Sequence, residues 1–165
     1  IVSDAVAHVI GQGEFNHGYT YSSHPVAAAV ALENLRILQE EHIVDNVRTE
    51  AAPYLANKWR GLADHPLVGE ASVIGMMGSL ALTPHKESRA RFAADPGTIG
   101  YMCREHCFAN NLVMRHVYDR MIISPPLVIS KGEIDQLISR ATRALDATYA
   151  QAKAQGMLKV ADAHP

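Results

Sequence analysis

A chain of 165 residues, 48% hydrophobic and 19% charged, is long enough for one ordinary domain with a core of its own. Its formal net charge of −2 gives none of the basic excess that draws proteins to nucleic acid or to an anionic membrane surface. Cys103 and Cys107, one helical turn apart, are too sparse for a disulfide framework and fit a reducing, cytoplasmic setting.

No apolar run reaches the roughly eighteen residues of a membrane helix, and the N-terminus has neither the basic region nor the apolar core of a secretion signal. The chain opens without methionine on Ile1-Val2, which reads as the end of a buried strand. Ser3 and Asp4 are placed to cap a short helix through Ile10. Gly11, Gly13 and Gly18 break regularity, so residues 11 to 24 form a loop. Pro25 suits the first turn of the next helix, where a missing N–H costs nothing. Val26, Val30, Ala31, Leu35 and Leu38 give that helix its apolar stripe, and its end is expected near His42. A further helix is expected from about Ile43 to Leu62, bent or interrupted at Pro53, with Val47, Leu55, Trp59 and Leu62 on its apolar side.

Val68 to Thr83 loses the helical period and reads as one buried strand with glycine breaks. Residues 84 to 97 read as a loop. The next helix, about Thr98 to Asn110, has Ile99, Met102, Cys103 and Cys107 on one face. Leu112 to Met114 and Met121 to Ser124 read as two short strands around a polar turn, the second ended by Pro125-Pro126. Ser130 and Glu133 form a capping box at the start of the last helix. Ile134, Leu137, Ile138, Ala141, Leu145 and Thr148 make its inward stripe, and Gly156 its stop. Residues after Leu158 read as a disordered tail. Residues 39 to 158 thus predict a helix–strand–helix–strand–strand–helix α/β layer arrangement. Residues 1 to 38 do not close a core alone and read as the trailing edge of another domain.

Two positions have chemistry to offer. Thr20 lies a few residues before a helix start, where hydroxyl and N–H donors and the positive end of the macrodipole suit a dianionic phosphate. The competing reading is a loop threonine satisfied by nearby backbone. Arg115 follows an apolar triplet, and a guanidinium emerging there can clamp a carboxylate through two parallel hydrogen bonds. Its competing reading is a structural ion pair. Cys103, His106 and Cys107 share a helix, but a structural zinc site needs four ligands and no second cluster has ligand spacing, so no metal site is assigned. His17 and His24 read as structural members of their loop. No Gly-x-Ser-x-Gly elbow or P-loop occurs, Gly11-x-Gly13 lacks the rest of a dinucleotide fingerprint, and no carboxylate pair is placed for glycoside hydrolysis.

The string Phe15-Asn16-His17-Gly18-Tyr19-Thr20-Tyr21-Ser22-Ser23-His24-Pro25-Val26 closely resembles the loop that class III (ω-amino) aminotransferases place beside pyridoxal phosphate. The resemblance continues, in order and at matching spacing, to about Leu145. Ala31-Leu32-Glu33-Asn34-Leu35-Arg36-Ile37-Leu38, Asp64-His65-Pro66-Leu67-Val68-Gly69-Glu70, Cys103-Arg104-Glu105-His106-Cys107-Phe108 and Met121-Ile122-Ile123-Ser124-Pro125-Pro126-Leu127 are similar to the ω-amine or polyamine (putrescine-type):pyruvate branch. The family pattern of arginine, two variable residues and Gly-Asp is met at Arg115 and Asp119, with Tyr118 in place of the glycine. Ser23 likewise stands where glycine is usual.

The resemblance implies a fold type I, α/β enzyme that transfers an amino group from an ω-amine, polyamine or ω-amino acid to pyruvate or a similar keto acid, with pyridoxal 5'-phosphate as cofactor. Residues 1–38 would be the end of the large cofactor domain and its connecting helix, and residues 39–165 the small C-terminal domain, a small antiparallel-type sheet packed on helices. Tyr19 and Thr20 would reach the cofactor phosphate across the interface of a homodimer, or of a tetramer of dimers. Arg115 would bind the carboxylate of pyruvate or an amino acid. The Schiff-base lysine is expected upstream of Ile1, so the N-terminal portion of the same enzyme is the expected partner. Two other readings stand beside this one: a non-catalytic α/β fragment of such an enzyme, and a small metal-binding or adaptor domain.

Overall fold

The computed structural model describes residues 2–161. The chain divides into two compact units, Ile1–Glu40 and Glu41–Pro165.

The first unit holds two helices joined by a loop, α1 (Asp4–Ile10) and α2 (Pro25–Glu40). Ser3 takes the extended N-cap conformation without a side-chain bond, and α2 starts at Pro25, as its fixed φ favours. Neither helix has a buried residue, and Val26, Val30 and Leu35 of the apolar stripe are exposed. Val2 is not in a strand, and Ile1 lies outside the described residues.

The second unit begins at Glu41, and His42, with a φ of 50°, separates the end of α2 at Glu40 from the helix that follows. The helix expected from 43 to 62 is three pieces: α3 (Ile43–Asn46), a π-turn (Val47–Ala51) and α4 (Ala52–Gly61), followed by a 3-10 turn (Leu62–Asp64). Pro53 sits in the first turn of α4. The wider π-turn before it accommodates the missing N–H and the pyrrolidine ring.

The region Val68 to Thr83 is a hairpin rather than one strand. Strand β1 (Val68–Ile74) pairs antiparallel with β2 (Met77–Leu82), and Ile74 lies opposite Met77. The two-residue connection needs Gly75, whose φ is 54°, at the position that a type II′ turn reserves for glycine. Apolar residues on both sides of that glycine conceal the turn in the sequence. Helix α5 (Thr98–Ala109) follows, then β3 (Arg115–Val117), β4 (Arg120–Ile123) and α6 (Lys131–Ala154). The sheet is four-stranded with order β1-β2-β4-β3, antiparallel throughout.

Alternation sets its two faces. Leu80, Leu82, Met121 and Ile123 are buried on the inner face, while Ser79, Ala81 and Ile122 on the other are only half-buried. The core joins the inner face to α4, α5 and α6 through Leu55, Trp59, Ile99, Cys103, Cys107, Ile134 and Leu145. Each fully buried large side chain contributes about 1.5–3 kcal/mol of transfer free energy. The Trp59 indole N–H donates to the Ser79 carbonyl at 3.2 Å, so burial leaves no orphan donor. The capping box of α6 is complete: Ser130 and Glu133 exchange side-chain-to-backbone bonds of 3.2 and 2.8 Å. Its buried stripe is Ile134, Ala141, Ala144, Leu145, Thr148 and Ala152, with Leu137 and Ile138 packed at the margin. Gly156 takes a φ of 68°, and the N–H of Met157 returns to the Ala152 carbonyl at 2.8 Å, closing the helix end.

The expected tail beyond Leu158 is partly ordered. Val160 bridges Phe92, and Ala93 N–H to Lys159 O and Ala161 N–H to Arg91 O measure 2.8 and 2.9 Å. This pairing lies some seventy residues back in sequence, out of reach of local patterning. Residues 162–165 lie outside the described ones.

Candidate active-site elements

Tyr19 and Thr20 belong to the first unit and Arg115 to the second. The loop before α2 is a run of tight turns. Ser22 N–H donates to Tyr19 O at 3.0 Å and His24 N–H to Tyr21 O at 3.3 Å, while Tyr19 N–H donates to Ser22 Oγ at 3.3 Å. His24 caps α2: its Nδ1 accepts the Ala27 N–H at 3.5 Å and its carbonyl the Ala28 N–H at 3.0 Å. The structural role expected of His24 is thus a specific one. Ser23 sits at a φ of 60°, in the region where glycine is free of strain. The Tyr19 ring stands edge-on to His17 at 5.0 Å. Thr20 is exposed, and its hydroxyl makes no hydrogen bond among the described residues.

Arg115 does not follow a strand; it opens β3, opposite Ile122. The triplet expected as that strand is an extended connection from α5. Asn111 turns it at a φ of 55°, Leu112 and Met114 insert into the core, and Val113 points outward. The triplet has alternation but no ladder partner among the described residues, which sequence cannot distinguish from a strand. Register places Arg115 and Val117 on the open face with Ile122 and Arg120 of β4 and Ser79 of β2. Arg115 is exposed and forms no ion pair or hydrogen bond among the described residues. Its neighbour Arg120 donates to Ser79 Oγ at 2.9 Å. Across the same face, Glu70 accepts from Ser72 and pairs with Arg89. The Ser72 hydrogen bond, more than either arginine, holds that carboxyl below its usual range.

The β3–β4 turn has two residues, Tyr118 and Asp119, between paired Val117 and Arg120. Tyr118 adopts a φ of 49°, so the position where the resemblance expects glycine does require the left-handed region. Asp119 is a residue whose role sequence reasoning missed. Its carboxylate accepts the N–H of Gly97 at 3.2 Å and of Gly100 at 2.9 Å, and its carbonyl accepts the Leu82 N–H at 2.8 Å. It therefore satisfies two orphan donors at the start of α5, where a negative charge is favoured. Gly97 itself has a φ of 93° and no capping side chain. The approach is close: a Cβ on Gly100 would lie 2.0 Å from the Tyr118 carbonyl oxygen. On the inner face, His116 stands edge-on to Tyr101 at 5.9 Å. Its Nδ1 is buried without a hydrogen-bond partner among the described residues.

The candidate metal set resolves into other contacts. Cys103 and Cys107 are buried, and the neighbouring Cys103 thiol pushes the Cys107 thiol well up, with burial adding to it. His106 Nε2 turns to Gln151 of α6 at 2.7 Å. Among the described residues no three His, Cys, Asp or Glu side chains are grouped to hold a metal, and no helix is long and apolar enough to cross a membrane.

The chain is similar to known transaminases along most of its length. A putrescine–pyruvate aminotransferase from Pseudomonas aeruginosa is 58% identical over 151 residues, covering 91% of this chain and 33% of the relative. A mitochondrial gamma-aminobutyrate transaminase from Oryza sativa subsp. indica is 35% identical, covering 82% of this chain and 26% of the relative. The chain thus spans about a third or less of the curated relatives it matches. Among solved structures, a thermostable (S)-enantioselective omega-transaminase from Thermomicrobium roseum superposes with a TM-score of 0.78 at 33% identity, over 89% of this chain and 33% of that one. An engineered omega transaminase from Pseudomonas jessenii gives 0.75 at 34% identity, over 87% and 31%. The profile of the class-III aminotransferases matches residues 1–145, and the chain belongs to that family.

Proposed function

We propose that this chain serves pyridoxal-phosphate-dependent transamination, moving an amino group from an ω-amine, polyamine or ω-amino acid to pyruvate or a similar keto acid. The observation that carries the reading is Arg115: a guanidinium on an open sheet face with no protein partner among the described residues. Its neighbour Arg120 is tied down, whereas Arg115 keeps its five donors for a ligand. A carboxylate is the ligand that matches this fork.

The residues present fit the cofactor's phosphate. Thr20 offers an exposed hydroxyl with no bond of its own among the described residues, shortly before the positive end of α2. Beside it, Tyr19 is held by Ser22 and His17. Pyridoxal phosphate, when bound, supplies the electron sink for nitrogen transfer. In this reading Thr20 and Tyr19 bind its phosphate across a homodimer interface, and Arg115 receives the keto acid, holding its carboxylate bidentately and so orienting it.

Residues 1–38 then belong to the end of the large cofactor domain and the connecting helix, and residues 39–165 to the small domain. Helices α1 and α2 support that division, because neither has a buried residue while the second unit encloses its own core. The lysine that binds the cofactor and the residues that select the amine are assigned to the N-terminal portion of the same enzyme, in the cytoplasm. The test is Thr20→Val in the complete enzyme. Loss of one charge-assisted hydrogen bond should weaken cofactor affinity by roughly tenfold or more while putrescine and pyruvate turnover at saturating cofactor persists. Unchanged affinity would count against the assignment of Thr20.

A further inference from the structure

Arg115 presents its guanidinium on the open face only while β3 keeps its register. A slip of one residue would exchange it for His116. Little in β3 itself enforces that register. The strand has three residues, of which only His116 is half-buried, so no buried apolar side chain penalises a slip. Among the described residues it is also the edge strand, paired on one side only. Register in such a hairpin falls to the turn, and this turn is strained, with Tyr118 at a φ of 49°. What holds it is Asp119, whose carboxylate takes the Gly97 and Gly100 N–H groups and whose carbonyl takes that of Leu82.

We propose that Asp119 is a positioning residue for keto-acid binding: by tying the β3–β4 turn to the N-terminus of α5, it fixes the register from which Arg115 projects. The proposal rests on the reading of Arg115 as the carboxylate site, and Asp119 itself touches no substrate. Two structural facts make the tie directional. The bonded donors belong to a helix start, so the anion is favoured there by the dipole as well as by the bonds. Gly100 lies so close to the Tyr118 carbonyl that the turn cannot advance further toward α5.

The experiment uses the complete enzyme with Asp119→Ala, Asp119→Asn and Arg115→Ala. It reads KM for pyruvate, kcat/KM of the amine half-reaction, and hydrogen exchange at residues 97–100. For Asp119→Ala the expected results are faster exchange, a rise of about tenfold in pyruvate KM, and an amine half-reaction within about twofold of the parent. Asp119→Asn, which keeps one acceptor oxygen, should fall between, and it bears the same readouts if the alanine variant does not fold. Faster exchange with pyruvate KM unchanged, while Arg115→Ala raises it, overturns the proposal and leaves the Arg115 reading intact. Parallel loss in both half-reactions also overturns it, because that marks a purely structural residue. An unchanged pyruvate KM in Arg115→Ala removes the Arg115 reading and the positioning role together.

Discussion

Replacing Gly100 by alanine should destabilise the second unit, although alanine is the better helix former. The added methyl would sit 2.0 Å from the Tyr118 carbonyl oxygen, 3.0 Å from its carbonyl carbon and 3.2 Å from the Asp119 Cα. These are backbone atoms, so no rotamer change relieves the contact. Helix α5 and the turn must part by about 1 Å before the methyl fits. That shift stretches the Asp119 bonds to Gly97 and Gly100, now 3.2 and 2.9 Å, beyond useful range. Bonds to a charged acceptor contribute about 1.5–3 kcal/mol each, and the half-buried setting favours the lower figure. The gain in helix propensity returns at most about 1 kcal/mol. The net expectation is a loss of about 2–3 kcal/mol, or roughly 6–12 °C in melting temperature. Urea unfolding followed by circular dichroism measures it. Gly132→Ala, in the first turn of α6 with nothing within 4 Å of its Cβ position, is the control and should be neutral or slightly stabilising. A Gly100→Ala protein as stable as its parent would refute the close docking of the turn on α5.

Tyr118→Gly should stabilise by about 0.5–1 kcal/mol, because it removes a left-handed residue costing about 1–2 kcal/mol against a smaller loss of chain entropy. Tyr118→Ala keeps its Cβ and should show no gain, and equal behaviour of the two variants in urea unfolding would contradict the strain. His65 should make stability acid-sensitive. Its Nδ1 accepts the Leu67 N–H at 3.1 Å and its Nε2 lies 3.3 Å from Asp146. Burial lowers its pKa below the ordinary 6.5, against the opposing pull of Asp146 and with Lys86 adding to the depression. Protonation therefore favours the unfolded chain, and the contribution is complete above about pH 6.5 and shrinks as pH falls toward the folded value. Denaturation midpoints should fall more steeply with acid in the parent than in His65→Gln, and parallel curves would contradict this.

Features governed by local chemistry were legible in the sequence. The capping box at Ser130, the stop at Gly156, the helix start at Pro25 and the buried face of α5 depend on residues within a turn or two of one another. The hairpin at Gly75 was hidden because Val73, Ile74, Met76 and Met77 are apolar on both sides of the turn, which erases the polar punctuation that normally marks one. Strand β3 was displaced by three residues because Leu112 and Met114 alternate with Val113 as strand residues do, yet insert into the core without a ladder. Lys159, Ala161 and Asp119 make their bonds to residues far away in sequence, so no local pattern announced them. At the candidate site, the residue types of Thr20 and Arg115 were readable. That Arg115 is unpaired among the described residues while Arg120 is bound to Ser79 depends on sheet register, which only the folded chain displays.

The measurement closest to the central claim compares acceptors in Arg115→Ala of the complete enzyme: kcat/KM for pyruvate against that for propanal, which has no carboxylate. If Arg115 holds the keto-acid carboxylate, pyruvate should lose about 10- to 100-fold, from the 1.5–3 kcal/mol of a charge-assisted bond, while propanal changes by less than about twofold. Equal losses for the two acceptors would contradict the carboxylate role and the functional reading built on it.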